Sequence, residues 1–226
     1  MDIAAADGKS GSNTLALFKA GWQGLAVEGE PNIFARLGLN YRDLFGVSLY
    51  RGWVTPMNVL SLLRAAEIPS EFGFLSLDID GYDHDVLDAI LSNYRPRLIC
   101  VEVNERFPPP ILFNLPFSPS YVYNGDGCSG QSLCMLDLLR AKHDYALVGL
   151  DYLNAFLIPA DCGLSTLRPT DVYRAGYADR FDRKRRFPWN AEFEVLQTMP
   201  ADEGVRWVER KFTGHRGEFF CSAGNH

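Results

Sequence analysis

Short apolar runs alternate with helix-like segments from Leu25 to about Leu139, and this alternation most constrains the fold. Leu25-Ala26-Val27, Val47-Ser48-Leu49-Tyr50, Phe74 to Asp80 and Leu98 to Val103 read as strands. Helical stretches lie between them. Pro31 suits a first helical position, and Ile33, Phe34, Leu37 and Leu39 give that helix an apolar side. Thr55-Pro56 is expected to open a second helix, and Asp83 to cap a third bearing Val86, Leu87, Ile90 and Leu91. Near-continuous apolar strands separated by helices imply a parallel sheet covered on both faces. A proline-rich loop is expected from Pro108 to Pro119, and Ser129 is expected to cap a helix through Leu133, Leu136 and Leu139. Ala146 to Leu150 and Asn154 to Ile158 follow with only a short link, which suits an antiparallel pair.

The expected fold is therefore α/β, a Rossmann-like three-layer sandwich. Residues 1–164 form the main domain, and residues 165–226, polar, aromatic and irregular, form an extension packed on it. The 226 residues suffice for a sizeable core, and 47% hydrophobic with 22% charged residues is an ordinary globular balance. A net charge of −6 gives no reason to expect a nucleic-acid partner. The basic cluster Arg180 to Arg186 reads as a solvated helix face, with a local anion site as the alternative. No apolar run is long enough to span a membrane, and no signal peptide is visible. Five scattered cysteines without a Cys-x-x-Cys pair argue against zinc and for a reducing cytoplasm. A homo-oligomer is compatible with all of this.

The loop Ala4 to Thr14 precedes a helical run and then the strand ending in Glu28. In wound α/β sheets ligands bind beyond the carboxyl ends of the strands, and loop glycines let the backbone approach them. Gly8 and Gly11 are present, and Ser12 or Asn13 can cap the following helix. Glu28 is placed to accept hydrogen bonds from ribose hydroxyls. Three patterns compete. Gly8-Lys9-Ser10 has the end of a phosphate-binding P-loop but lacks its earlier glycine. A dinucleotide site wants Gly-x-Gly-x-x-Gly, which is missing. The pattern acid-x-Gly-x-x-x-Gly of S-adenosylmethionine binders is met by Asp2 to Gly8, except that Ala4 replaces the first glycine.

Three segments together are more specific. Asp7 to Thr14, Gly21-Trp22-Gln23-Gly24-Leu25-Ala26-Val27-Glu28 and Leu75-Ser76-Leu77-Asp78-Ile79-Asp80-Gly81 resemble the FkbM-like group of class I S-adenosylmethionine-dependent methyltransferases. Gly149-Leu150-Asp151 to Leu157 is similar to that group's last two strands. The resemblance spans roughly residues 2 to 160. It implies a seven-stranded, mostly parallel sheet with an antiparallel last strand. It also implies cofactor binding by Asp2, Ala4, Asp7, Gly8, Ser12, Asn13 and Glu28, and methyl transfer to a small-molecule acceptor. Ala4 departs from the pattern, tolerable where its backbone angles are ordinary. The chain begins where the first strand should be half complete, so a truncated first strand is expected: either the natural start lies upstream or the domain works with a clipped strand.

Asp78, Asp80, Asp83 and Asp85 with His84 form an acidic cluster. An EF-hand is rejected: Tyr82, Asp83 and Ala89 fall where an acid, a glycine and the closing glutamate are required. Alternation along a strand would point Asp78 and Asp80 to one side, with Glu102 and Asn104 alike on the next strand. Asp78, Glu102 and Asn104 are the candidate ligands of a hard cation such as Mg²⁺, able to lower the pKa of a substrate hydroxyl. Asp78, Asp80 and His84 are the candidate catalytic groups. Against this, Asp80 and Asp83 could only shape a turn, and His84 could be merely exposed in a first helical turn. Tyr123, Asn124 and Asp126 are candidate substrate contacts. His143, His215 and His226 have no partner identifiable from sequence.

Overall fold

A computed structural model describes residues 1–224. The fold is α/β. Seven strands form a sheet in the order β3-β2-β1-β4-β5-β8-β7, and β6 and β9 form a separate two-stranded sheet. The strands are β1 (Asp2–Ile3), β2 (Gly24–Glu28), β3 (Val47–Arg51), β4 (Glu71–Leu77), β5 (Arg95–Glu102), β6 (Ile111–Asn114), β7 (Tyr145–Asp151), β8 (Asn154–Pro159) and β9 (Phe220–Ala223). β1 to β5 pair in parallel; β7 and β8 form an antiparallel hairpin through Tyr152 and Leu153. A Rossmann-like sandwich with a two-residue first strand is thus present.

The chain divides into two compact units, residues 1–79 with 85–101, and residues 80–84 with 102–226. The first carries α1 (Leu15–Lys19), α2 (Pro31–Tyr41), α3 (Val59–Ala65) and most of α4 (Asp83–Leu91). Pro31 is the first residue of α2, and the Glu30 carboxylate caps it by accepting from Asn32 N–H at 3.2 Å. The apolar side of α2 places Leu37 and Tyr41 in a core with Ala5, Phe18 and Ala26. Thr55-Pro56 opens only a turn. Asn58 holds it, accepting from Thr55 N–H at 2.8 Å and donating to Trp53 O at 2.9 Å, and α3 starts at Val59.

The second unit carries α5 (Leu133–Lys142), α6 (Pro169–Tyr173), a π turn at Arg174–Ala178, α7 (Arg183–Arg186), a 3₁₀ stretch at Pro188–Gln197 and α8 (Ala201–Lys211). The cap of α5 is Ser132 rather than Ser129: its Oγ accepts from Met135 N–H at 3.2 Å and from Phe113 N–H at 3.0 Å. The proline-rich stretch is not all loop. Within it β6 pairs antiparallel with β9, register Ile111 to Ala223. Beside this two-stranded sheet an aromatic core gathers Phe107, Phe113, Phe193 and Phe212 with Ile111, Leu196 and Val208. Phe107 and Phe113 stack at 4.0 Å between centroids. The residues from 165 onward belong to this unit together with β6 to β8.

The basic cluster is engaged locally. Arg180 bonds Asp151 at 2.6 Å, Arg183 forms a bidentate pair with Glu194, and Lys184 approaches Glu194 at 3.4 Å. Tyr152 donates to Asp182 at 2.6 Å, with the guanidinium carbons of Arg180 and Arg186 4.5 and 4.3 Å from its ring centroid. These contacts combine charge pairing with cation–π attraction and fix the chain after the π turn.

Candidate functional site

The loop after β1 is built from its own polar side chains. Asp7 shapes the turn: Oδ1 accepts from the N–H groups of Lys9 (2.9 Å) and Ser10 (2.7 Å), and Oδ2 from Ser10 Oγ–H (2.9 Å). These bonds hold its carboxyl below the ordinary carboxylate range, the Ser10 N–H contributing most. Gly8 has φ +72°, and a Cβ there would lie 2.5 Å from Leu37 Cδ1 and Tyr41 Cε1, so glycine is required twice over. Ser12 Oγ accepts from Leu15 N–H at 3.0 Å and Thr14 N–H at 3.3 Å, but the residue at the cap position of α1 is Thr14 rather than Ser12 or Asn13. Asn13 is instead tied to β4, donating to Ser76 Oγ at 3.2 Å.

Asp2 is buried, and Thr14 Oγ–H donates to its Oδ2 at 2.5 Å. Burial raises its carboxyl pKa, against the Thr14 bond. Asp2 therefore clamps the end of the loop to β1 from inside. Ala4 does not meet the condition of ordinary backbone angles: φ is +62°, and Ala6 has φ +48°. Both alanines sit in the left-handed region that glycine occupies without cost.

Glu28 ends β2 buried and facing this loop. Ala6 N–H donates to Oε2 at 3.0 Å and Glu30 N–H to Oε1 at 2.7 Å. An ionised carboxylate has about four acceptor sites, so a fixed Glu28 retains capacity for two further donors. The next residue, Gly29, meets the Trp53 indole: a Cβ there would lie 2.5 Å from its ring carbons, while Trp53 remains 68% exposed. A flat aromatic surface thus stands one residue from Glu28. Sequence reasoning missed Trp53. Its signal was a glycine directly after the acid, with Gly52-Trp53 directly after β3.

Among the described residues, Asp78, Asp80 and Glu102 bring one carboxylate oxygen each within 4.8 Å of one another. Strand alternation is not what joins them, since β4 ends at Leu77 and Asp80 has φ +54°. The tight turn does so, with Asp83 Oδ2 accepting from Gly81 N–H at 3.2 Å and Gly130 N–H donating to Gly81 O at 2.7 Å. Burial raises the Asp80 carboxyl, partly offset by Arg106. Asp80 and Glu102 line a cleft of about 230 Å³ together with Arg106, Tyr123 and Trp189.

The remaining candidates fall on either side of this line. Asn104 also borders the cleft, but its amide organises the adjoining loop. It donates to Gly127 O (3.0 Å) and Ser129 O (2.9 Å), and its Oδ1 accepts from Arg106 N–H (3.2 Å) and Nη1 (3.3 Å). His84 is half-buried rather than exposed. Its Nδ1 lies 2.9 Å from the Gln131 side-chain amide, and His84 is outside the acid group. Tyr123 reaches the cleft. Asn124 does not, and instead accepts from Asp126 N–H at 3.0 Å. Asp126 borders an adjacent hollow of about 300 Å³ and pairs with His215 Nε2 at 2.6 Å. His215 Nδ1 in turn meets Glu218 at 2.8 Å, so this histidine has two partners that its sequence neighbourhood did not reveal. His226 lies outside the described residues.

No helix among the described residues is long and apolar enough to cross a membrane. In comparisons with known proteins, no family model and no curated protein matches the chain.

Proposed function

We propose that the chain is a class I S-adenosylmethionine-dependent methyltransferase acting in the cytoplasm on a hydroxyl of a small molecule. The observation that carries this reading is Glu28: a buried carboxylate, fixed by two backbone N–H groups at the end of β2, facing the loop that follows β1. A ribose offers two adjacent hydroxyl donors to such a group, and the exposed face of Trp53 suits an adenine ring. S-Adenosylmethionine, when bound, supplies the activated methyl group.

Asp78, Asp80 and Glu102 are hard oxygen donors close enough together to share a cation, so the residues fit Mg²⁺. When bound, Mg²⁺ would neutralise the acids and favour the ionised form of a nearby acceptor hydroxyl. Asp80 borders the acceptor cleft and, through an oxygen that the cation leaves free, is suited to take the acceptor proton as the oxygen gains the methyl group. Arg106, Tyr123 and Trp189 would hold the acceptor in the cleft. Orientation is the main contribution asked of these side chains.

Isothermal titration with S-adenosylhomocysteine tests the cofactor assignment. The wild-type chain is expected to bind, and Glu28→Gln to bind at least about tenfold more weakly, the scale of one lost charge-assisted hydrogen bond. No binding by the wild type at high protein concentration refutes the assignment. A second reading, a cofactor-binding module without turnover, is favoured by Ala4, whose methyl group stands in a strained backbone where the resembled group has glycine. Cofactor binding without methyl transfer across a broad acceptor panel would select it.

A further inference from the structure

A cavity lined within the second unit is separate from the acid group. It measures about 570 Å³ and is bordered by Arg206, Glu209 and Arg210 of α8, by Arg216, and by Phe219 and Phe220 leading into β9. Arg206 and Arg210 are one helical turn apart, a like-charge spacing that disfavours a helix unless something offsets it. Among the described residues neither they nor Arg216 makes an ion pair, whereas Lys211 on the same helix is bonded to Glu192 at 2.7 Å. In a chain of net charge −6, three guanidiniums around one cavity without a carboxylate bonded to them are a local exception.

We propose that this cavity binds a small molecule carrying a phosphoryl group attached to an apolar or aromatic body. Three guanidiniums present up to fifteen or so N–H donors, about five each, far more than the two oxygens of a carboxylate can use. A phosphoryl group has three acceptor oxygens and close to two negative charges. Glu209 is the one acidic side chain in the lining, so the arginines leave an excess of positive charge. The volume exceeds that of a bare phosphate and lies in the range of small-molecule sites. Phe219 is a rigid wall for the ligand body, stacked on Phe113 at 5.5 Å and set edge-on to Phe212 at 5.8 Å, while Phe220 is half exposed beside it. Cys221 also lines the cavity, but burial pushes its thiol pKa up to about 12, so the site is built for binding rather than covalent attack. This inference does not rest on the methyltransferase reading.

The test is titration of the whole chain at low ionic strength with phenyl phosphate, inorganic phosphate and benzoate. Phenyl phosphate is expected to bind most tightly and to weaken as salt is added. Arg206→Ala, Arg210→Ala and Arg216→Ala should each weaken it about tenfold or more. All three side chains are exposed, and unchanged circular dichroism would confirm that the variants are folded. Absence of phenyl phosphate binding at millimolar concentration overturns the site. Binding unchanged in all three variants places the ligand elsewhere, and benzoate binding as tightly as phenyl phosphate overturns the phosphoryl assignment.

Discussion

The strained residues of the first loop set a measurable price on its shape. Ala6 is exposed with φ +48°, so its methyl group contributes no burial to offset the left-handed backbone. That conformation costs an L-residue roughly 1–2 kcal/mol, while glycine carries an unfolded-state entropy cost of about 0.4–1 kcal/mol. Ala6→Gly should therefore stabilise the chain by about 0.5–1 kcal/mol, raising Tm by roughly 1–4 °C in a chain of this size. Thermal melts monitored by circular dichroism check this, and a lower Tm would show that the methyl group is needed. No sequence pattern revealed the strain, because side-chain type does not report φ. The polar residues of the same loop were legible as a group, but their roles were not. Asp2, Ser12 and Asn13 have internal partners in Thr14, Leu15 and Ser76 that sequence position alone does not reveal.

At the scale of elements, legibility followed contact distance. β2, β3, β5 and the β7–β8 hairpin could be read because their apolar runs and turns are local. β6 was hidden by surrounding prolines, and its partner β9 lies at the far end of the chain. The clamp between Asp126 and His215 joins positions 89 residues apart and left no local trace. It makes the second unit pH-sensitive. The bonds to Glu218 and then to Asp126 raise the His215 pKa above its ordinary value near 6.5. A raised folded pKa means that the stabilisation is fully present below about pH 6.5 and is lost as pH rises through the folded value. Asp126 works oppositely. Burial opposes ionisation, but the Cys128 N–H and His215 bring its pKa down, so its share is present above about pH 3.9 and is lost as pH falls through the folded value. Urea midpoints at pH 6 and pH 9 should fall more for the wild type than for His215→Gln. Equal falls would rule out the clamp as the cause.

At the scale of the whole molecule, the acid group is where the two proposed readings, cofactor-binding module and enzyme, make different predictions. Three carboxylate oxygens within 4.8 Å of one another repel unless a proton or a cation intervenes. If the group exists to hold Mg²⁺, removing one acid should act on turnover and metal affinity while sparing cofactor affinity, which is assigned to Glu28. Asp80→Asn and Glu102→Gln are near-isosteric, so the cleft they line keeps its shape. Each is expected to leave S-adenosylhomocysteine affinity within about threefold of wild type and to weaken Mg²⁺ binding at least tenfold, and Asp80→Asn to lower methyl transfer by about 10²-fold or more, the usual scale of a lost general base. Mg²⁺ affinity in the wild type should also fall as the solution is acidified, because Asp80 must lose its proton to bind metal and burial raises its pKa. If both variants were instead more stable than the wild type and bound Mg²⁺ as well as it does, the acids would be relieving repulsion only and the metal assignment would be lost. If Mg²⁺ affinity dropped but methyl transfer did not, the cation would be structural and the acceptor proton would leave by another route.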